Sequence, residues 1–245
     1  MSWFVGYTRA MICELRNYTT QPGRRDDLVA LFEREFLDSQ ETMGSRIVGT
    51  FRNVDDPDRF VWMRAFADMP ARAAALDAFY TSAAWLERRA AANATIVDSD
   101  DVLLLRPVAG RLIEQAPVRA PAGASGRFDS RIVVDSWFLE PRAEESFREL
   151  FAEEAVPVLH AVGAAPLASF ATLHEPNSYP RLPVRENETA FIALTRFESA
   201  EAQEAHRAAL LASAAWRGVA SRIARLLVAP ASLLRLEPTA RSALH

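Results

Sequence analysis

Phe60-Val-Trp-Met-Arg-Ala-Phe66, followed by Ser82-Ala-Ala-Trp85, recurs further along the chain as Phe191-Ile-Ala-Leu-Thr-Arg-Phe197, followed by Ser213-Ala-Ala-Trp216. In both stretches the closing Phe stands the same distance ahead of the Trp, so a strand, a helix and a turn repeat at one fixed offset. A half-chain period is too long for a solenoid and identifies two copies of one small domain within 245 residues.

Outward from the first stretch, Met11 to Thr19 alternates as a strand does, Pro22-Gly23 turns the chain, and Leu28, Leu31, Phe32 and Phe36 carry helical spacing. Arg46 to Asn53 and Phe60 to Phe66 flank the turn Asp55-Asp-Pro-Asp58 and read as a hairpin. A second helix begins near Pro70 and turns Leu76, Phe79 and Tyr80 inward. Ser82 is an N-cap that restarts it with Trp85 in the new first turn, and Val102 to Leu105 is the fourth strand. The second half fills the same slots with Ile132 to Leu139, Arg142 to His160, Ala168 to Leu173, Ala190 to Phe197, a helix from Glu201 and Leu226 to Leu236. The expected class is α+β, two fused ferredoxin-like βαββαβ repeats over 9–108 and 129–238. The stretch 109–128 holds Pro117, Pro121, Gly123 and Gly126 and reads as a linker. The second copy has the longer hairpin loop, His174 to Glu188, with three prolines and with Arg181 and Arg185 available to an anion.

Half of the residues are apolar and the net charge is -4, an ordinary globular balance without a basic face for nucleic acid or an anionic membrane. Every basic residue is arginine, which excludes a lysine Schiff base and lysine-dependent phosphate chemistry. The Ala/Arg bias resembles a GC-rich bacterial coding sequence. Cys13 is the only cysteine, no signal peptide or membrane-length apolar run is visible, and the expected location is the cytoplasm. No Gly-rich phosphate loop or GxSxG elbow occurs, and the four histidines lack metal-ligand spacing, so no metal is expected.

Glu14-Leu-Arg-Asn-Tyr18 with Pro22-Gly23, the strand Val48-Gly-Thr-Phe51, and Phe60-Val-Trp-Met-Arg with Arg72 and Trp85 resemble the NIPSNAP family. The resemblance covers the first copy closely and the second loosely, where Val134-Asp-Ser-Trp-Phe138 stands for Glu14 to Tyr18. It implies the dimeric α/β-barrel fold, here with both antiparallel sheets supplied by one chain and packed face to face. Related barrels include cofactor-free monooxygenases, lactone isomerases, haem peroxidases and chlorite-degrading enzymes, and a shared fold does not transfer their chemistry.

Period two puts Glu14, Arg16 and Tyr18 on one face of strand one and Met11, Cys13 and Leu15 on the other. If the apolar set faces the helices, the polar set faces the barrel interior, joined by Trp62 and Arg64. Aligned to the second copy, Glu14, Arg16, Tyr18, Trp62 and Arg64 oppose Val134, Ser136, Phe138, Ala193 and Thr195, so the second sheet has lost the charges. The leading expectation is one small-molecule site inside the barrel, with Glu14, Tyr18 and Arg64 catalytic and Arg16, Trp62, Tyr80, Arg181 and Arg185 binding substrate. The substrate would be apolar with a carbonyl or acidic group, and the enzyme cofactor-independent, monooxygenase- or isomerase-like. The competing readings are a non-catalytic interaction or stress-linked module, in which Glu14 and Arg16 neutralise each other, and a haem barrel with His206 as axial ligand. Trp85 and Trp216, kept in both copies, read as packing anchors and Cys13 as an inert buried thiol. A small-molecule partner and a further homodimer are compatible with this reading, and a nucleic-acid or membrane partner is not expected.

Overall fold

The structure, a computed structural model, describes residues 11–110, 112 and 119–245. The N-terminal reading and part of the linker therefore lie outside the described residues. Copy one runs β1 (Ile12–Thr20), α1 (Arg25–Leu31), a π-helical turn (Phe32–Phe36), α2 (Leu37–Thr42), β2 (Arg46–Asn53), β3 (Arg59–Phe66), α3 (Met69–Thr81), α4 (Ala83–Asn93), the short β4 (Ile96–Asp98) and β5 (Val102–Gly110). Copy two runs β6 (Arg131–Phe138), α5 (Glu144–Leu150), a second π-helical turn (Phe151–Ala155), α6 (Val156–Ala161), β7 (Ala168–Thr172), β8 (Ala190–Phe197), α7 (Ala200–Ala212), α8 (Ala214–Ile223), a 3-10 turn (Ala224–Leu226) and β9 (Ser232–Pro238). The βαββαβ order is thus present twice, with β4 as an addition on the end of β1.

Both helix breaks arise from the serines of the repeated signature. Ser82 is extended, ends α3, and its Oγ accepts from the Trp85 amide at 3.3 Å; Ser213 does the same for Trp216 at 3.1 Å. A serine that caps the next helix satisfies one of its orphan amides. The π-helical turns, also present in both copies, were not foreseen. Phe32 packs against Phe60 and Trp62, and Phe151 against Trp137 and Phe191.

The strands pair antiparallel in the order β3-β2-β9-β6-β8-β7-β5-β1, and β1 pairs again with β3, so eight strands close into one barrel. Each copy contributes four, in the ferredoxin-like order β5-β1-β3-β2 and β9-β6-β8-β7. The seams between copies are β2–β9 and β5–β7. At the second seam Gly110, with φ +90°, lets the strands close in, since a Cβ there would lie 2.1 Å from the Leu167 carbonyl.

The barrel interior is one apolar cluster to which every strand of the ring contributes, among them Cys13, Leu15, Met63, Leu105, Val134, Phe170, Ile192 and Leu236. The opposite faces pack under the helices: Tyr18, Phe60 and Trp62 with Leu28, Phe32 and Phe79 in copy one, and Trp137 and Phe191 with Phe147 and Phe151 in copy two. This reverses the sequence expectation for strand one. Cys13 and Leu15 fill the barrel, whereas Glu14, Arg16 and Tyr18 lie between the sheet and its helices. The apolar side of strand one is buried by the other copy's sheet, a partner that period two cannot distinguish from a helix.

The copy-to-copy register is corrected too. Glu14 pairs with Arg64 and Val133 with Thr195, and Arg64 and Thr195 occupy the same place ahead of the repeated Phe and Trp. Glu14 therefore corresponds to Val133, Arg16 to Asp135 and Tyr18 to Trp137. The expected partners Val134, Ser136 and Phe138 are one residue out, and a slip of one moves every side chain to the other face. The second sheet has not lost its charge at this layer, because Asp135 stands where Arg16 does.

Candidate functional site

Strands β1 and β3, the first turn of α3 and the loop after β7 converge between sheet and helices in copy one. Glu14 Oε2 accepts from Arg16 Nη1 at 2.7 Å and from Arg64 Nε at 2.7 Å, while Oε1 accepts from Arg72 Nε at 2.6 Å. All four side chains are at most 1 % exposed. Burial alone would raise the Glu14 pKa, but the guanidiniums of Arg64, Arg16 and Arg72 outweigh it and hold the carboxyl well below the usual range. With both oxygens engaged, Glu14 is a fixed counter-ion.

Three guanidiniums against one carboxylate leave a surplus of two positive charges in a buried layer. Arg64 Nη1 is satisfied by Gln40 Oε1 at 2.8 Å, and Arg16 Nε donates to Tyr18 Oη at 2.9 Å. Arg64 Nη2, Arg72 Nη2, Trp62 Nε1 and Tyr179 Oη are buried without a hydrogen-bond partner among the described residues. Unpaired buried donors are costly. Aromatic rings enclose the charges. Arg16 and Arg64 lie 5.4 and 5.0 Å from the Trp62 ring centroid, and Tyr18 meets Trp62 edge-on. Tyr80 stacks on Tyr179, and its pKa is pushed up to about 12 by burial and then by the neighbouring Tyr18.

The longer hairpin loop of copy two forms the roof. Arg72 Nη1 donates to Asn177 Oδ1 at 2.9 Å and to Ser178 Oγ at 3.1 Å, Ser178 Oγ donates to the Met69 carbonyl, and Tyr179 is buried against Leu104, Phe66 and Leu76. The loop covers copy one through Asn177, Ser178 and Tyr179. Arg185 instead binds Asp101 and Glu188 above Phe138, and Arg181 is exposed. Of the sequence candidates, the structure brings together Glu14, Arg16, Tyr18, Trp62, Arg64 and Tyr80, outside the barrel interior. Gln40, Asn177, Ser178 and Tyr179 carried no sequence signal as site residues, and Arg72 entered only through the family resemblance. A surface concavity of about 650 Å³ lies elsewhere, between α1, the β2–β3 turn and residues 123–127, among charges such as Arg52 and Asp26 that already pair with each other.

Among the described residues no helix is long and apolar enough to cross a membrane, and no group of three His, Cys, Asp or Glu could hold a metal ion. In overall fold the chain is similar to a candidate monooxygenase from Lactobacillus acidophilus NCFM (12% identity, 96% of this chain and 98% of that one, TM-score 0.56). It is also similar to a candidate monooxygenase from Fusobacterium nucleatum (8% identity, 95% and 94%, TM-score 0.59). A third such structure is an anthrone oxidase-like protein (13% identity, 97% and 95%, TM-score 0.67). No curated protein matches the chain in sequence. The NIPSNAP family model matches residues 13–110, which run from Cys13 on β1 to Gly110 at the end of β5. Residues 13–110, the first repeat, are thus similar to the NIPSNAP family, and a second copy of the same fold follows them.

Proposed function

We propose that the first repeat binds an apolar small molecule that carries, or can develop, a negative charge, in the layer between its sheet and helices. The observation that carries this reading is the buried surplus of guanidinium charge with unmet donors, set against the aromatic wall of Tyr18, Trp62, Tyr80 and Tyr179. A carboxylate, enolate or phenolate would pair with that charge in a water-poor setting, where preorganised donors act most strongly.

The chemistry this supports is cofactor-independent. Arg16, Arg64 and Arg72 would stabilise an anion formed from a carbonyl or phenolic substrate, Glu14 would hold the three guanidiniums in place, and Tyr18, whose oxygen accepts from Arg16, would carry the proton. The anion can pass its electron pair to dioxygen, as a monooxygenase requires, or take a proton back at another carbon, as an isomerase does. The fold-level similarity to monooxygenase candidates is compatible with the first course. A second reading, a non-catalytic binding module, is favoured by the complete mutual bonding of Glu14 with its arginines.

Thermal unfolding with benzoate or benzamide tests whether this layer binds an anion or only packs. Benzoate at tenfold its dissociation constant is expected to raise the melting temperature by about 3 °C, benzamide is expected to do much less, and Arg72→Gln should lose at least half of the benzoate effect. Equal shifts with both compounds, or no shift with either, would leave only the packing role.

A further inference from the structure

The same layer of the second repeat is built with the opposite polarity. At the positions of Glu14, Arg16, Arg64 and Arg72 stand Val133, Asp135, Thr195 and Gln203, so three long guanidinium side chains are replaced by shorter ones and space opens. A cavity of about 90 Å³ results between β6, β8, β9 and the helices α7 and α8. Trp137, Phe197, Trp216 and Leu210 give it an apolar, largely aromatic wall.

Asp135 lines this cavity on the central strand β6 and makes no hydrogen bond or ion pair among the described residues. The cations nearby are committed elsewhere: Arg235 Nη1 binds Glu204 at 3.0 Å while its Nε binds Asp55 at 3.0 Å, and Arg207 Nε binds Glu204 at 2.8 Å. His206 Nδ1 lies 3.1 Å from the Val162 carbonyl. A carbonyl only accepts, so Nδ1 carries the proton and the neutral ring has Nε2 as its acceptor. The titratable and charged groups around the cavity are thus Asp135, His206, Arg207 and Arg235, and the two uncommitted ones both accept. Burial pushes the Asp135 carboxyl up to about 7, consistent with a group that lacks a counter-charge.

We propose that this cavity is a second ligand site, selective for a small organic ammonium whose N–H groups bind Asp135 and His206 while its apolar part lies against Trp137, Trp216 and Phe197. Aromatic faces attract cations, and a carboxylate held away from water is stabilised by one, so the two features reinforce each other for an amine and oppose each other for an acid. The volume is below the roughly 150 Å³ of engineered cavities that hold benzene, so the cavity takes the ammonium end of the ligand and the carbons next to it, and the rest of a ring lies at its open mouth. The site is independent of the anion-binding reading for repeat one, with the opposite ligand charge and different residues.

Isothermal titration at pH 8 with benzylamine, and with benzyl alcohol as its neutral counterpart, tests the proposal on the full chain. Benzylamine is expected to bind the wild type at least tenfold more tightly than Asp135→Asn, and benzyl alcohol to bind both proteins alike. Because Asp135→Asn is nearly isosteric, circular dichroism will show whether it is folded. In the wild type itself, saturating benzylamine should also lower the carboxyl titration midpoint of Asp135 observed by carbon NMR. Equal affinity of benzylamine for both proteins, or an unmoved Asp135 midpoint, overturns the proposal whether or not benzoate binds repeat one.

Discussion

Two acidic residues on equivalent faces, Glu14 fully and Asp135 partly buried, show how environment sets the character of a carboxyl. Glu14 has three guanidiniums and is a permanent anion, whereas Asp135 has an aromatic cavity and no partner among the described residues, and its ordinary value near 3.8 is pushed up to about 7 by burial. The direction of the Asp135 shift fixes a pH dependence. Between about pH 4 and pH 7 the unfolded chain has lost this proton and the folded one keeps it, so this residue makes stability fall as pH rises through that window, with the loss complete above it. Asp135→Asn never ionises and escapes that loss. Its urea midpoint should exceed the wild type's at pH 8, by about 2 to 4 kcal/mol of stability, with a smaller gap at pH 5. An unchanged gap between the two pH values would show that Asp135 is not held protonated. Contributions from other carboxyls, Glu14 included, are common to both proteins and cancel in the comparison.

Elements owe their ends to a few residues that act in both copies. Ser82 terminates α3 by donating to the Phe79 carbonyl at 2.7 Å and starts α4 by accepting from Trp85, which places that ring against Phe36, Phe79 and Tyr80. Ser82→Ala and Ser213→Ala should each cost about 1 kcal/mol. The double variant should cost the sum, because the caps share no partner; chemical denaturation of the three variants measures this, and a clearly smaller sum would tie the two helix breaks together. These caps were legible because a serine three residues before a repeated Trp is a local signal. The π-helical turns were not. Extra residues in a helical turn change which faces align without changing composition, and only packing of Phe32 and Phe151 on their sheets shows where the turn is widened.

Closure of eight strands around one apolar cluster makes the two repeats a single cooperative body. Phe170 of β7 is buried in that interior alongside Leu15, Met63 and Leu105 from copy one. Phe170→Ala should therefore cost about 3 to 5 kcal/mol, and both far-UV circular dichroism and tryptophan fluorescence should report one earlier transition. Separate transitions by the two probes would mean that the halves unfold independently. By itself the sequence determined the duplication, the order of elements, the ferredoxin-like class and the residues Glu14, Arg16, Tyr18, Trp62 and Arg64 as one group, because these follow from short-range periodicity and from a repeat visible by eye. Only the tertiary structure decided which face of each strand looks into the barrel, that Arg16 corresponds to Asp135, and that the loop after β7 roofs the other copy's arginine layer. The physical reason is that a strand buried on both sides has two apolar neighbours, a sheet and a helix layer, and its own sequence does not say which lies on which side.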